Sequence, residues 1–258
     1  MQVQQIIDTE KHPVLDEEFR AKCKDTLDQT GVLILREFLR APAIATIYQE
    51  ALDGREKAYF CTQSHNVYLM EADPSFASDH PRNREVISSK GCICDDIIPA
   101  QSPLRYLYNS EDFKFFLCTI LGEEALYEYA DPLSSINLHY AKPGQELGWH
   151  FDNSSFAITL MIKAPEKGGQ FEYVSEMRNS KKGEMNFDGV RAMLDGKIPV
   201  ETLNLKPGDL VLFRGRDAIH RVAPVEGGKR ILVVLAYNTE PGIALSESAR
   251  QTFFGRLG

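Results

Sequence analysis

The chain has 258 residues, 43% hydrophobic and 26% charged, with 18 Gly and 13 Pro. Such a composition suits a globular protein with a sizeable core and argues against collagen, coiled coil and disorder. Its 37 acidic against 29 basic side chains leave a net charge of −8, and Lys181-Lys182 is the longest basic cluster. That argues against partners such as nucleic-acid phosphates or anionic lipid, which need clustered Lys and Arg. No window approaches the roughly 18 apolar residues of a membrane span, and the start, MQVQQIIDTEKHP, lacks a basic n-region. The expectation is a cytoplasmic protein. Five cysteines (Cys23, Cys61, Cys92, Cys94, Cys118) at irregular spacing suit reduced thiols, and Cys92-Ile93-Cys94 lacks the CxxC spacing of a zinc site.

In chain order, Asp16 to Gln29 carries apolar positions at helical spacing with Gly31 as a stop, and GVLILREF follows as a strand-length run. Pro42 to Tyr59 and Ser110 to Leu121 read as further helices, the latter with Ser110 as N-cap. The first half, residues 1–131, is therefore expected to be mainly helical. From Pro132 the pattern changes. SSINLHYA, FAITLMIKA, GQFEYVS, VETLNLK, DLVLFRG and RILVVLAYN are rich in β-branched and aromatic residues and are separated by Pro-Gly and Gly-Gly turns, an antiparallel pattern. Residues 176–200 read as a polar insertion into a core spanning 132–240, followed by a tail over 241–258. The whole predicts a single α+β domain, a double-sheet jelly roll flanked by N-terminal helices.

Six histidines frame the chemistry. In GWHFDNSSF, His150 and Asp152 are two apart, so on extended backbone both side chains leave one face. Seventy residues on, His220 in LFRGRDAIHRVAPV lies where strand pairing could bring it alongside. Two His and one carboxylate form the facial triad of non-haem Fe(II) oxygenases, with neighbouring coordination positions left open. Arg230, ten residues after His220, offers the forked donor set that suits the far carboxylate of a small dicarboxylic acid. Arg221 is the rival, but a regular strand points it away from His220.

HFD, His220 and Arg230, with PGDLVLF before the second His, GGKR after it and GGQFEY between, resemble the Fe(II)/2-oxoglutarate-dependent oxygenase superfamily over about residues 134–240. The resemblance implies a distorted, cupin-like double-stranded β-helix. It maps the iron ligands onto His150, Asp152 and His220 and the 2-oxoglutarate clamp onto Arg230, with O2 as co-reactant and succinate and CO2 as by-products. Many members place Ser or Thr two residues after the Arg, where this chain has Leu232. A second hydrogen bond to 2-oxoglutarate must then come from Asn137, His139 or Tyr140, or from Thr159. Asn137 and His139 share one face of their strand and Tyr140 takes the other; the sequence leaves open which face looks inward.

The helical first half, HNVYL at 65–69 and GWHFDN resemble, more narrowly, the standalone halogenases and hydroxylases of free amino acids such as lysine. Radical halogenases of the superfamily replace the carboxylate by Gly or Ala to admit chloride; Asp152 therefore implies hydroxylation. In those enzymes acidic side chains bind the substrate amino groups, whereas Asn153 here follows the ligand Asp. Arg82 or Arg84 is expected on a substrate carboxylate, with Trp149, Asn153, Asn238 and Thr239 near the rest. Alternatives are a peptidyl hydroxylase and a non-catalytic cupin-like ligand-binding module. Oligomeric state is left open, a homodimer included. Trp149 could equally be a packing residue, His65 a loop residue or a substrate contact, and His139 a neighbour of the site. His12 is expected in solvent and His80 in a turn. Lys181, Lys182 and Glu184 are expected on a solvated insertion, with a lid as the alternative.

Overall fold

The computed structural model describes residues 1–258. Its helices are α1 (Glu17–Thr30), α2 (Ala41–Gly54), α3 (Pro103–Tyr108), α4 (Glu111–Leu121), α5 (Phe187–Leu194) and α6 (Glu247–Phe254). The strands are β1 (Val32–Leu35), β2 (Tyr59–Asn66), β3 (Glu85–Ile93), β4 (Ile136–Ala141), β5 (Leu147–His150), β6 (Ala157–Lys163), β7 (Lys167–Gly168), β8 (Phe171–Val174), β9 (Glu201–Leu203), β10 (Leu210–Phe213), β11 (Ile219–Val222), β12 (Val225–Gly227) and β13 (Arg230–Leu235).

Local chemistry sets the helix ends. The Asp16 carboxylate accepts from the Phe19 amide and Gly31 closes α1 at φ +73°, the left-handed position that glycine takes without a Cβ penalty. Ser110 caps α4 through the Phe113 amide. Phe113, Phe116, Leu117, Ile120 and Leu121 then form its buried face, the three-and-four spacing of an amphipathic helix.

Eleven strands form one antiparallel sheet in the order β1-β10-β6-β13-β4-β3-β5-β11-β8-β9, with β2 paired to β3, while β7 and β12 pair separately. β3 is the seam between two half-sheets. Its Gly91, Cys92 and Ile93 pair with Tyr140, His139 and Leu138 of β4, whereas Ser88 pairs with Leu147 of β5. The curled sheet encloses the jelly roll that the sequence predicts.

Alternation gives each half-sheet two faces. On the larger half, Ile136, Leu138 and Tyr140 of β4, Ile158, Leu160 and Ile162 of β6, and Ile231, Val233 and Leu235 of β13 join α1, α2, α3 and α4 in one core. Each such Ile, Leu or Phe contributes about 1.5–3 kcal/mol by leaving water. The opposite, inward face carries Asn137, His139, Thr159, Met161, Arg230, Leu232 and Val234, as the registers Leu232↔His139, Leu232↔Met161 and Val234↔Thr159 require. The smaller half has its own outer cluster, in which Trp149, Phe151 and Ile219 pack against Val67, Tyr68, Met177, Val190 and Met193.

Three expectations need correction. The first half is less helical than its pattern suggests, because α2 stops at Gly54 and the long hairpin-like pair β2–β3 follows. β2 alternates exposed and half-buried positions and is rich in polar residues, so its signal is faint. The insertion is not simply solvated: Lys181, Lys182 and Glu184 are exposed, but α5 buries Val190 and Met193 against the back of the smaller half-sheet. His12 is buried, its Nε2 lying 2.8 Å from the Arg36 carbonyl, and burial lowers its pKa.

Candidate metal centre

His150 ends β5 and His220 sits on β11, and the two are directly paired in register. Their ring centroids are 4.2 Å apart. Asp152 follows two residues beyond and turns back between them, its Oδ1 standing 3.7 Å from His150 Nε2 and 3.5 Å from His220 Nε2. The ligand atoms of the three lie within 4.8 Å of one another. Asp152 can fold in this closely because of Gly215: a Cβ there would overlap Asp152 Oδ2 and come within 2.9 Å of His220 Cε1.

Tautomers follow from the backbone. His150 Nδ1 lies 2.8 Å from the Gly148 carbonyl and His220 Nδ1 lies 3.0 Å from the Ala218 carbonyl. A carbonyl only accepts, so each Nδ1–H donates and each Nε2 turns its lone pair towards the other two ligands. Burial, reinforced by the neighbouring His220, pushes the His150 pKa down to about 3, so the ring stays neutral and ready to ligate. Burial alone would raise the Asp152 carboxyl; the neighbouring His220, then His150 and Arg178, outweigh it and hold the carboxyl below its usual range.

Two open valences test whether iron and 2-oxoglutarate fit. Asp152 Oδ2 is buried without a hydrogen-bond partner, an uncompensated anion that a cation between the imidazoles would neutralise. Arg230 is buried and its Nε has no partner; burial alone lowers its pKa to about 10. A guanidinium in that position needs an anion. Arg230 lines a cavity of about 210 Å³ with Met161, Gln170, Phe171, Leu203 and Leu205. The Phe171 ring, one wall of this cavity, stacks 5.5 Å from the His220 ring and so stands between the cavity and the triad. The donor set fits Fe(II), and the buried, unpartnered guanidinium of Arg230 fits a carboxylate of a small dicarboxylic acid.

The other expected residues divide. His139 and Thr159 share the inward face with Arg230. Lys90 Nζ lies 3.3 Å from His139 Nε2; burial, then Lys90 and Arg230, depress the His139 pKa well below its usual value. Asn137 is on the same face, but its amide nitrogen already donates to the Leu133 and Ile136 carbonyls. Tyr140 points the other way and donates to the Ala51 carbonyl at 2.7 Å, so strand alternation takes it out of reach of the cavity. Arg221 also faces outward, paired with Glu172 at 2.7 Å and lying 4.8 Å over the Trp149 ring, which makes Trp149 a packing residue.

Among the expected substrate contacts, Arg82 donates to the Glu71 carbonyl and Arg84 pairs with Asp195 at 2.6 Å. The pair Arg84–Asp195 ties the 67–84 segment to the end of α5. His80 does lie in a turn, and it also stacks on Phe76 at 4.3 Å. Asn153 is exposed and accepts from Arg216 through its carbonyl. Asn238 bridges Tyr127 through the backbone while its buried amide nitrogen has no partner, and Thr239 is exposed. The structure does not bring these residues together into one cluster.

Reasoning from sequence missed Arg178, which leaves the insertion, lies 4.2 Å over the Phe151 ring and reaches the field of Asp152. It also missed Gly215, Phe171 and Lys90. Only the glycine in RGRD carried a signal, since a close approach often requires one.

Residues 15–252 match the family described as HalD, Halogenase D. The chain belongs to this family. No curated protein matches it. Its fold is similar to that of a 2OG-Fe(II) oxygenase family oxidoreductase from Burkholderia pseudomallei, with a TM-score of 0.56 at 14% identity, covering 88% of this chain and 94% of that one. It is also similar to the non-heme alpha ketoglutarate dependent carbocyclase SnoK from nogalamycin biosynthesis (TM-score 0.59, 12% identity, 93% and 92% covered). A Pseudomonas putida prolyl-4-hydroxylase gives a TM-score of 0.51 at 16% identity, covering 83% and 96%. The family member thus has the oxygenase fold with a two-histidine, one-carboxylate site inside it. No helix is long and apolar enough to cross a membrane.

Proposed function

We propose that this Halogenase D family member is an Fe(II)/2-oxoglutarate-dependent dioxygenase that hydroxylates an unactivated C–H bond of a free amino acid, lysine or a related basic or polar one. The observation that carries the outcome of the reaction is Asp152, whose carboxylate stands against both imidazoles where the resembling halogenases leave room for halide.

His150, Asp152 and His220 would hold the iron, and Arg230 the far carboxylate of 2-oxoglutarate, with His139 or Thr159 beside it. When bound, iron with 2-oxoglutarate and O2 supplies an oxidant for C–H bonds, with succinate and CO2 released. The chain's own part is placement. The Gly148 and Ala218 carbonyls hold the imidazoles by their Nδ1–H groups, Phe171 and Met161 supply apolar wall to the cavity, and Arg230 fixes the orientation of the cosubstrate. The resemblance to the standalone halogenases and hydroxylases of free amino acids supports the choice of a free amino acid.

The test is anaerobic loading with Fe(II) and 2-oxoglutarate, exposure to air with a panel of free amino acids in chloride buffer, and mass analysis of succinate and product. A product heavier by one oxygen is expected; a chlorinated product would overturn the hydroxylase reading. Turnover confined to denatured lysate protein would favour the peptidyl alternative.

A further inference from the structure

His65 stands on β2, outside the triad, yet its ring centroid is 6.3 Å from that of His150 in an edge-on arrangement. Its Nδ1 lies 3.0 Å from the Asn66 carbonyl, and its Nε2 lies 2.6 Å from Ser88 Oγ. The carbonyl fixes Nδ1 as the donor, so in the neutral ring Nε2 accepts and the Ser88 hydroxyl donates. That leaves the Ser88 oxygen free to accept, and the Gly148 amide donates to it at 2.9 Å. Gly148 is the residue whose carbonyl takes the His150 Nδ1–H. Each group in this chain has one role, and the roles agree from end to end.

The crossing at Gly148 is also sterically fixed. A Cβ there would lie 2.5 Å from the Ile87 carbonyl oxygen and 2.9 Å from Val86 Cγ2, so β3 and β5 approach as closely as backbones can. Ser88 is buried and sits where β3 pairs with β5 through Leu147. We infer that His65 and Ser88 are positioning residues for iron: through Gly148 they fix the height and ring plane of His150, and so decide how tightly the triad closes on the metal. This rests on the triad being the iron site. It assigns His65 neither to a loop nor to the substrate.

The experiment is anaerobic titration of the full chain with Fe(II), read by quenching of Trp149, the only tryptophan and the chain neighbour of His150. Ser88→Ala and His65→Leu should each weaken Fe(II) binding about tenfold or more, the range found when the groups orienting a ligand are removed. Ser88→Thr, which keeps the hydroxyl, and His65→Gln, which keeps an acceptor, should restore most of the affinity. The visible absorption of protein loaded with Fe(II) and 2-oxoglutarate should shift in the first pair and not in the second.

Wild-type affinity in both Ser88→Ala and His65→Leu would overturn the inference while leaving the iron site standing. A raised substrate KM in His65→Leu with unchanged Fe(II) affinity would overturn it in favour of a substrate contact. Wild-type protein that fails to bind Fe(II) would overturn the site itself, and the inference with it.

Discussion

The two half-sheets are backed very differently. The larger half leans on a core that unites β4, β6, β10 and β13 with α1, α2, α3 and α4. The smaller half, which carries His150 and His220, leans on a small cluster built from Val67, Tyr68 and the α5 segment. Arg230 therefore belongs to the heavily packed side and the metal ligands to the lightly packed one. Packing sets the larger half independently of any ligand, whereas the ligand end relies on hydrogen bonds to Gly148 and Ala218 and on charge balance. A bound cation would add most order where the apolar core adds least.

Four results would break or sharpen that contrast. The largest effect is expected from His220→Ala, which removes one of three ligands and should lower Fe(II) affinity by well over the hundredfold typical of supporting groups; Trp149 quenching checks it. Next, Phe116→Ala in α4, fully buried in the larger core, should cost about 3–5 kcal/mol in urea unfolding. Met193→Ala in the smaller cluster should cost about 2 kcal/mol, at the low end for such a truncation. Its effect on Fe(II) affinity should exceed that of Phe116→Ala, and equal effects would dissolve the distinction between the two halves. Replacing Arg230 by Met should leave Fe(II) binding intact while weakening 2-oxoglutarate by about a hundredfold to several thousandfold, since breaking a buried charge pair costs about 3–5 kcal/mol.

The smallest effect is in pH. Burial, with His220, lowers His150 to about 3 in the folded state, below the roughly 6.5 of an unfolded histidine. Between those values the unfolded chain holds the extra proton, so stability rises with pH across the window and is lost as pH falls from about 6.5 towards 3. His139 shifts in the same direction. Metal-free His150→Asn should show a shallower fall of Tm between pH 6.5 and 5 than wild type; an unchanged slope would mean that His150 is not held neutral by the fold.

Much of the fold was legible because its causes are local. Asp16, Gly31 and Ser110 mark helix ends through their own hydrogen bonds and dihedrals, and β4, β6, β10 and β13 announce themselves as strand-length runs of apolar and β-branched residues between turn signals. Strands β2 and β3 escaped because their residues are mixed and their pairing is with each other and with a seam rather than with one apolar face. The insertion looked solvated because its polar residues outnumber Met177, Val190 and Met193, whose partners on β5 and β11 lie distant in sequence.

By itself the sequence determined the ligand types and their spacing: His150 and Asp152 two apart, His220 seventy residues on and Arg230 ten beyond. Tertiary structure alone decided which face of β4 looks inward, retaining His139 and dismissing Tyr140, because a strand's alternation fixes two faces without saying which is covered by helices. It also brought His65 and Ser88 to Gly148 and Arg178 to the Arg216 carbonyl. Those contacts join separate elements, and their energy comes from the satisfaction of buried polar groups, which leaves no periodic trace along a single chain.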